Sequence, residues 1–415
     1  MTNLSKISVI VPAYNTGKYI DKCLDSILAQ TMDDIEVIIV EQNSTDDTYK
    51  RARYWADKDN RIKIVVSDKR GLSLAKNIGI AASDSVFICF IDSDDYIDSK
   101  MIECLYNAIV KHDADISFCN IYTDNFETGE VMERAVPFKT GKPLNVWTTK
   151  DVFVELSPSS CNKMFKKSLF FDNNTFFDNK LFHCEDWLCF FSMLPYVKRI
   201  VHIDKPLYYY LIYRPGSLIT TPSEDNISQV IQGANKLFAF YKDRNLYEDF
   251  KEQLNTIITT FLMGRTKDFF YIKKGILSDM NVFLECLESI VPNWKDYIVC
   301  SAEAFGLYKY LELCNLIENA DELFRNKPVI IFSASKGGKT IYDMCKKHNI
   351  KINAFCDNAK DKQGGNIDGV EIIATEDIRE MFGDDLSIIF AADSRYYDDV
   401  RRQLNNLGIT DDKIF

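Results

Sequence analysis

Four short runs that are apolar almost throughout open the chain: ISVIVPAY from residue 7, IEVIIV from 35, IKIVVS from 62 and VFICFID from 86. A strand with one wet face alternates apolar and polar side chains, so runs like these belong to strands covered on both sides. Helical spacing fills the gaps. GKYIDKCLDSILAQ carries Ile20, Leu24, Ile27 and Leu28 on one face, and STDDTYKRARYWADK opens on Ser44 or Thr45 as N-cap with acids in its first turn. GLSLAKNIGIAAS and DSKMIECLYNAIVKHD, the latter capped by Asp98 or Ser99, continue the series, and DISFCN supplies a fifth strand. Regular alternation of this kind predicts a doubly wound, mostly parallel α/β sheet.

The pattern loosens from residue 121 to 223. There SSCNKMFKKSLF, LFHCEDWLCFFSMLPYV and KPLYYYLIYRPGSLIT suggest mixed strands, a helix around 185 to 194 and a loop around 213 to 222. Residues 224–326 read as amphipathic helices, and from 327 to 415 strand and helix alternate again. The 415 residues thus divide into an α/β domain over 1–223, a helical packing region over 224–326 and a smaller Rossmann-like α/β domain over 327–415.

A net charge of −11, from 50 basic and 61 acidic residues, argues against broad nucleic-acid binding, with only a local basic patch at Lys163, Lys166 and Lys167. The 12 cysteines include no C-x-x-C pair and sit mostly in apolar runs, as buried reduced thiols of a cytoplasmic protein do. Strand-like KISVIVPAY begins at residue 6, so no signal peptide is expected, and no run approaches the ~18 apolar residues that span a bilayer. The Phe-, Tyr- and Leu-rich helices of 224–326 either pack the two α/β domains together or hold the chain against the inner face of a membrane.

In open α/β sheets ligands bind beyond the carboxyl ends of the strands. The first run ends in Pro12, Ala13, Tyr14 and Asn15, the second in Glu41, Gln42, Asn43 and Ser44, the third in Asp68, Lys69 and Arg70, and the fourth in Asp92, Ser93, Asp94 and Asp95. An aromatic ring, an acceptor, cations and a carboxylate cluster on one edge suit a nucleotide. Three carboxylates within four residues repel unless something positive sits among them. Asp92 and Asp94 form an Asp-x-Asp pair able to hold a hard divalent cation, Mn²⁺ or Mg²⁺, together with phosphate oxygens; Asp95 assists them or caps the next helix. Glu185 and Asp186, in HCEDWL, form an acid pair at a helix start flanked by apolar residues, where a carboxylate can be desolvated into a general base.

ISVIVPAYN, IEVIIVEQNSTDDT, GLSLAKNIGI and FIDSDDYI, in this order and spacing, resemble the family 2 glycosyltransferases with the GT-A fold. The resemblance continues through CNKMFKKSLF, HCEDWLCFF and YYYLIYRPGSLIT, over roughly residues 6 to 222. It implies an inverting transfer of a sugar from a nucleotide diphosphate, a UDP-hexose or UDP-N-acetylhexosamine, to a hydroxyl of a glycan, lipid-linked or protein-attached acceptor. It gives the base role to Asp186, with Glu185 as runner-up, and the metal and ribose-phosphate roles to Asp94 and Asp92. Pro12, Tyr14, Glu41, Ser44, Asp68, Arg70, Ser93 and Lys163 are donor-side candidates, as are Asn77 and Lys76, which stands where the family often has Arg. Arg214 and Ser217 form either a lid that meets the diphosphate or an ordinary surface loop, and His183 and Trp187 are acceptor-side candidates. One departure is local: Glu41-Gln42 replaces the paired aspartates usual after the second strand, and Asn43 stands where Gly is common.

Two rivals remain open from sequence. A nucleotidyltransferase shares an acid pair on a similar sheet, but PAYNTGKYI offers little of its Gly-rich phosphate loop. A non-catalytic nucleotide-sugar-binding or scaffolding module would have lost its metal. In the C-terminal domain, IIFSASKGGKT fails as a P-loop because position 333 is Ser, and as a dinucleotide fingerprint because Ser333 and Ser335 replace two of three glycines. That domain reads as structural or oligomerising, or as a binder of nucleotide or sugar nucleotide through Asp357.

Overall fold

A computed structural model describes residues 7–134, 142–150, 153, 156–215, 224–272, 277–294, 297, 324, 327–391 and 397–414. The chain divides into two compact units, Met1–Ile258 with Ile272–Pro292, and Thr259–Tyr271 with Asn293–Phe415.

In the first unit β1 (Ile7–Ala13), β2 (Ile35–Glu41), β3 (Ile62–Val66) and β4 (Phe87–Phe90) run parallel in the order β3-β2-β1-β4. Every residue of β1 and β2 is buried, as their apolar sequence requires. Helices α1 (Ile20–Leu28), α2 (Thr48–Lys58), α3 (Leu72–Ala82) and α4 (Met101–Lys111) make the crossovers. Ile7, Val9 and Val11 share one core with Ile20, Leu24 and Ile27 of α1, whereas Ile38 and Val40 pack on Ala75 of α3. Gly79 lets α3 lie close on the sheet, since a Cβ there would come within 2.3 Å of Ile10 Cγ2. In register, Ala13 pairs with Glu41 and Glu41 with Val66, so the segments that follow these strands leave along a single edge.

The second half of the sheet is mixed. Antiparallel β8 (Lys163–Lys166) separates β4 from β6 (Ile116–Asn125); β9 (Ile200–Ile212) then runs parallel to β6, and β5 (Tyr96–Ile97) lies antiparallel to β9. Strand β7 (Val131–Arg134) pairs with β6. The β6–β9 register shifts where Asn120 faces Pro206, a residue with no N–H to offer the ladder. Helices α5 (Ser168–Asp172) and α6 (Glu185–Met193) follow β8, and α7 (Glu224–Asp243) packs on α6 with Tyr241 Oη donating to Phe191 O at 2.7 Å. Helices α8 (Tyr247–Ile272) and α9 (Leu277–Ile290) complete the helical stretch.

The second unit holds a separate sheet in the order β12-β13-β11-β10-β14: β10 (Val329–Phe332), β11 (Ala354–Cys356), β13 (Val370–Ile373) and β14 (Ser387–Phe390) are parallel, and the short β12 (Asn366–Ile367) is antiparallel. With α10 (Lys336–Lys347) between β10 and β11, this is a Rossmann-like α/β layer. Among the described residues no helix is long and apolar enough to cross a membrane, and every cysteine is a free thiol.

Candidate active site

The sheet edge is built first by a tight turn after β2. Buried Glu41 accepts the amides of Asn43 (3.1 Å) and Ser44 (2.8 Å), and Asn43 takes a left-handed φ of 51°, which Asn tolerates. Ser44 Oγ accepts the Asn15 amide at 3.1 Å, and Asn15 Oδ1 accepts the Thr45 amide at 2.8 Å. Ser44 and Thr45 are thereby spent on this turn and do not cap α2. Asp47 stands at the N-cap without a side-chain cap bond, and Asp46, one residue earlier, accepts the Thr48 amide at 3.0 Å. Gln42 donates to Lys69 O (3.0 Å) and Gly71 O (3.1 Å), bonds that an aspartate could not make, which gives the Glu-Gln departure a local reason. Asp68 meets Asn43 Nδ2 at 3.4 Å, and the Arg70 guanidinium lies 4.5 Å from the Tyr14 ring centroid.

The three aspartates after β4 have three different environments. Asp95 turns inward, accepting Tyr208 Oη at 2.5 Å and the Leu211 amide at 2.8 Å. Burial, with the charges of Asp94 and Asp92, holds its carboxyl well above the ordinary range despite those donors. Asp92 accepts the Cys161 thiol at 3.1 Å, and its carboxyl is raised by burial and by Asp94, against the pull of Lys76. Asp94 forms an ion pair with Arg214 Nε. The positive charge demanded by the cluster therefore comes from Arg214 in contact and Lys76 at longer range. Ser93 and Pro12 are buried beneath this edge, and Ser217 lies outside the described residues.

The third group sits at the start of α6, after Cys184 with its left-handed φ of 66°. Asp186 accepts Lys76 Nζ at 2.5 Å, the Ser160 amide at 3.0 Å and Ser160 Oγ at 3.1 Å. It borders a small void lined by Phe165, Phe170, Phe177 and Phe190. Lys76 is 1% exposed, and its Nζ lies 3.5 Å from Glu185 Oε1. Burial alone would depress the Lys76 ammonium, but Asp186, Glu185 and Asp92 outweigh it and hold it well above its ordinary value. Glu185 is pushed up to about 7 by burial, with Asp186 adding to the shift and Lys76 opposing it.

That shift carries a sign. Folded Glu185 keeps a proton that the unfolded chain releases at about 4.5, so its contribution is full below that pH and lost as pH rises through about 7. Glu185→Gln is expected to flatten the fall of the thermal midpoint between these two pH values by a few °C relative to wild type, read by melting at a series of pH values. Parallel curves would remove Glu185 as the titrating group.

Other candidates serve the frame. Lys163 is fully buried, donating to Ser159 O (2.5 Å) and Asn162 Oδ1 (2.9 Å), and burial lowers its ammonium to about 8 against the attraction of Asp186. Lys166 pairs with Asp115 at 2.9 Å and Lys167 donates to the carbonyl of Ser83, so each lysine of the basic patch is tied to a local partner. Asn77 bonds the backbone of Phe177 in both directions, at 2.7 and 3.1 Å. The amide of His183 donates to Gln229 Oε1 at 3.0 Å, and Trp187 is 4% exposed against Phe191. Reading the sequence missed Tyr208, Ser160 and Cys161, and read Gln42 only as a departure from an acid pair. Alternation in YYYLIY could have turned Tyr208 and Tyr210 toward the acids; Ser160 and Cys161 carry no local signal.

Residues 8–171 match the family model described as glycosyl transferase family 2, and residues 325–415 match one described as C2185-like, N-terminal. The chain is similar to the glycosyltransferase GlyG of Streptococcus pneumoniae serotype 4, 34% identical over 228 residues, which are 52% of this chain and 73% of that protein. It is also similar to the Staphylococcus aureus poly(ribitol-phosphate) beta-N-acetylglucosaminyltransferase TarS, 29% identical over 51% of this chain and 36% of TarS. A solved structure of TarS 1–349 in complex with UDP shares the fold, with a TM-score of 0.58 and 21% identity over 74% of this chain and 87% of that one.

Proposed function

The chain belongs to glycosyl transferase family 2 and is a glycosyltransferase of GT-A fold, and on that premise we propose an inverting enzyme that takes a hexose or N-acetylhexosamine from a UDP-sugar. The acceptor in this reading is a hydroxyl of a glycan, lipid-linked or protein-attached. The observation that carries the reading is the meeting, at one sheet edge, of the Asp92/Asp94 pair with buried Glu185 and half-buried Asp186, bridged by adjoining Ser160 and Cys161. TarS, named for N-acetylglucosamine transfer and solved in complex with UDP, favours the same donor class here.

The residues fit a divalent cation. Asp95 is committed to Tyr208 and Leu211, which leaves Asp92 and Asp94 as the side chains that would hold it. Mn²⁺ and Mg²⁺ are ordinarily completed by substrate phosphate oxygens, so a pair of carboxylates is enough from the protein side. When bound, the cation supplies stabilisation of the charge that develops on the departing diphosphate. Tyr14 and Arg70 offer a face for the base, and Arg214, paired with Asp94, is the cation that would meet the diphosphate. Asp186 takes the acceptor's proton as its oxygen attacks the anomeric carbon. Lys76 donates to one oxygen of that carboxylate and so helps to hold it in place.

The test is UDP release and sugar transfer across UDP-, GDP- and dTDP-sugars, with Mn²⁺, Mg²⁺ or chelator. We expect one UDP-sugar to turn over and chelator to abolish turnover. If no donor is hydrolysed and calorimetry detects no UDP binding, the chain is a non-catalytic module.

A further inference from the structure

We infer that Ser160 is a positioning residue for Asp186, fixing the carboxylate in the orientation from which it receives the acceptor's proton; this rests on the base role proposed above. Ser160 approaches the carboxylate by its amide to Oδ2 (3.0 Å) and by its hydroxyl, which lies 3.1 Å from both Oδ1 and Oδ2. Among the described residues the remaining donor is Lys76 Nζ on Oδ1. A lysine on a long stem and a single amide would leave the carboxylate free to rock about its terminal torsion; the hydroxyl, at equal distance from both oxygens, closes that freedom.

The segment that presents Ser160 is itself immobilised. Asn162 bonds Cys119 O through its side chain, and its own carbonyl accepts the Cys119 amide at 3.1 Å, which ties the segment to β6. Lys163, buried behind it, holds Ser159 O and the Asn162 side chain. The next residue, Cys161, donates its thiol to Asp92 on the donor side. Two consecutive residues thus touch the base and the donor-side acid, and the spacing between the two groups is set by one short stretch of backbone. Small errors in that spacing cost large factors in rate.

The test compares Ser160→Ala with Ser160→Thr, which keeps the hydroxyl, and runs Asp186→Asn alongside. Ser160→Ala is expected to lower kcat roughly ten- to hundredfold, with donor KM and UDP Kd within about twofold of wild type, and Ser160→Thr to recover most of the loss. Wild-type kcat in Ser160→Ala, with Asp186→Asn inactive, overturns the inference alone. A parallel loss of UDP affinity, or a Thr variant as slow as Ala with an unchanged thermal midpoint, makes Ser160 a structural residue and also overturns it. Full transfer by Asp186→Asn removes the base role and this inference with it.

Discussion

Asp186→Asn is expected to slow sugar transfer by about 10² to 10⁴-fold, the usual worth of a positioned base, while leaving UDP affinity and the fold in place. Asparagine matches aspartate in shape and can still accept the Ser160 amide now held at 3.0 Å, but it cannot take a proton from the acceptor. Lys76 keeps Glu185 at 3.5 Å as a partner, so the substitution does not strand a buried cation. Transfer in single turnover, UDP calorimetry and a thermal melt on the same preparation separate chemistry from binding and from folding. Glu185→Gln is the control, because Glu185 is buried in the same turn and shares Lys76. If Glu185→Gln abolishes transfer and Asp186→Asn does not, the two acids exchange roles. If neither does, the base lies outside this pair.

The parallel half of the sheet is legible in sequence because strands buried on both faces must be apolar throughout, and β1 to β4 are. The acids that end β4 stand out for the same reason, as charges that follow a run with no other use for water. What is not legible depends on pairing across distance. Asp95 reads as a helix cap or an extra ligand, yet it turns inward to Tyr208, 113 residues away. Asn77 and Lys76 read as neighbours of the donor, but Asn77 pins Phe177, and Lys76 lies under Asp186 because α3 and α6 meet at that point. Lys163 reads as a phosphate cation, and only the antiparallel insertion of β8 between β4 and β6 reveals it as a buried strut. Ser44 and Thr45 read as N-caps on local chemistry alone; a carboxylate at Glu41 and the side chain of Asn15 compete for them and win.

Lys76→Met is expected to be the most destabilising single change at this edge. Breaking a buried ion pair by removing one partner costs roughly 3–5 kcal/mol, because the remaining charge is left without compensation. Here Asp186, bonded at 2.5 Å, loses its cation beside a position that is 1% exposed, whereas Glu185, at 3.5 Å and already pushed up to about 7 against the pull of Lys76, takes a proton instead. The thermal midpoint of the first unit should fall by about 10 °C at neutral pH. Lys76→Arg keeps the charge with a wider, planar donor set and should retain most of the stability. The decisive comparison is Lys76→Met in the Asp186→Asn background, where the stranded carboxylate is already gone. A cost there well below the single-variant cost locates the effect in the Lys76–Asp186 pair. Equal costs in both backgrounds, or a midpoint for Lys76→Met within about 2 °C of wild type, would mean that the ion pair does not hold this edge together and that Asp186 is kept in place by Ser160 alone.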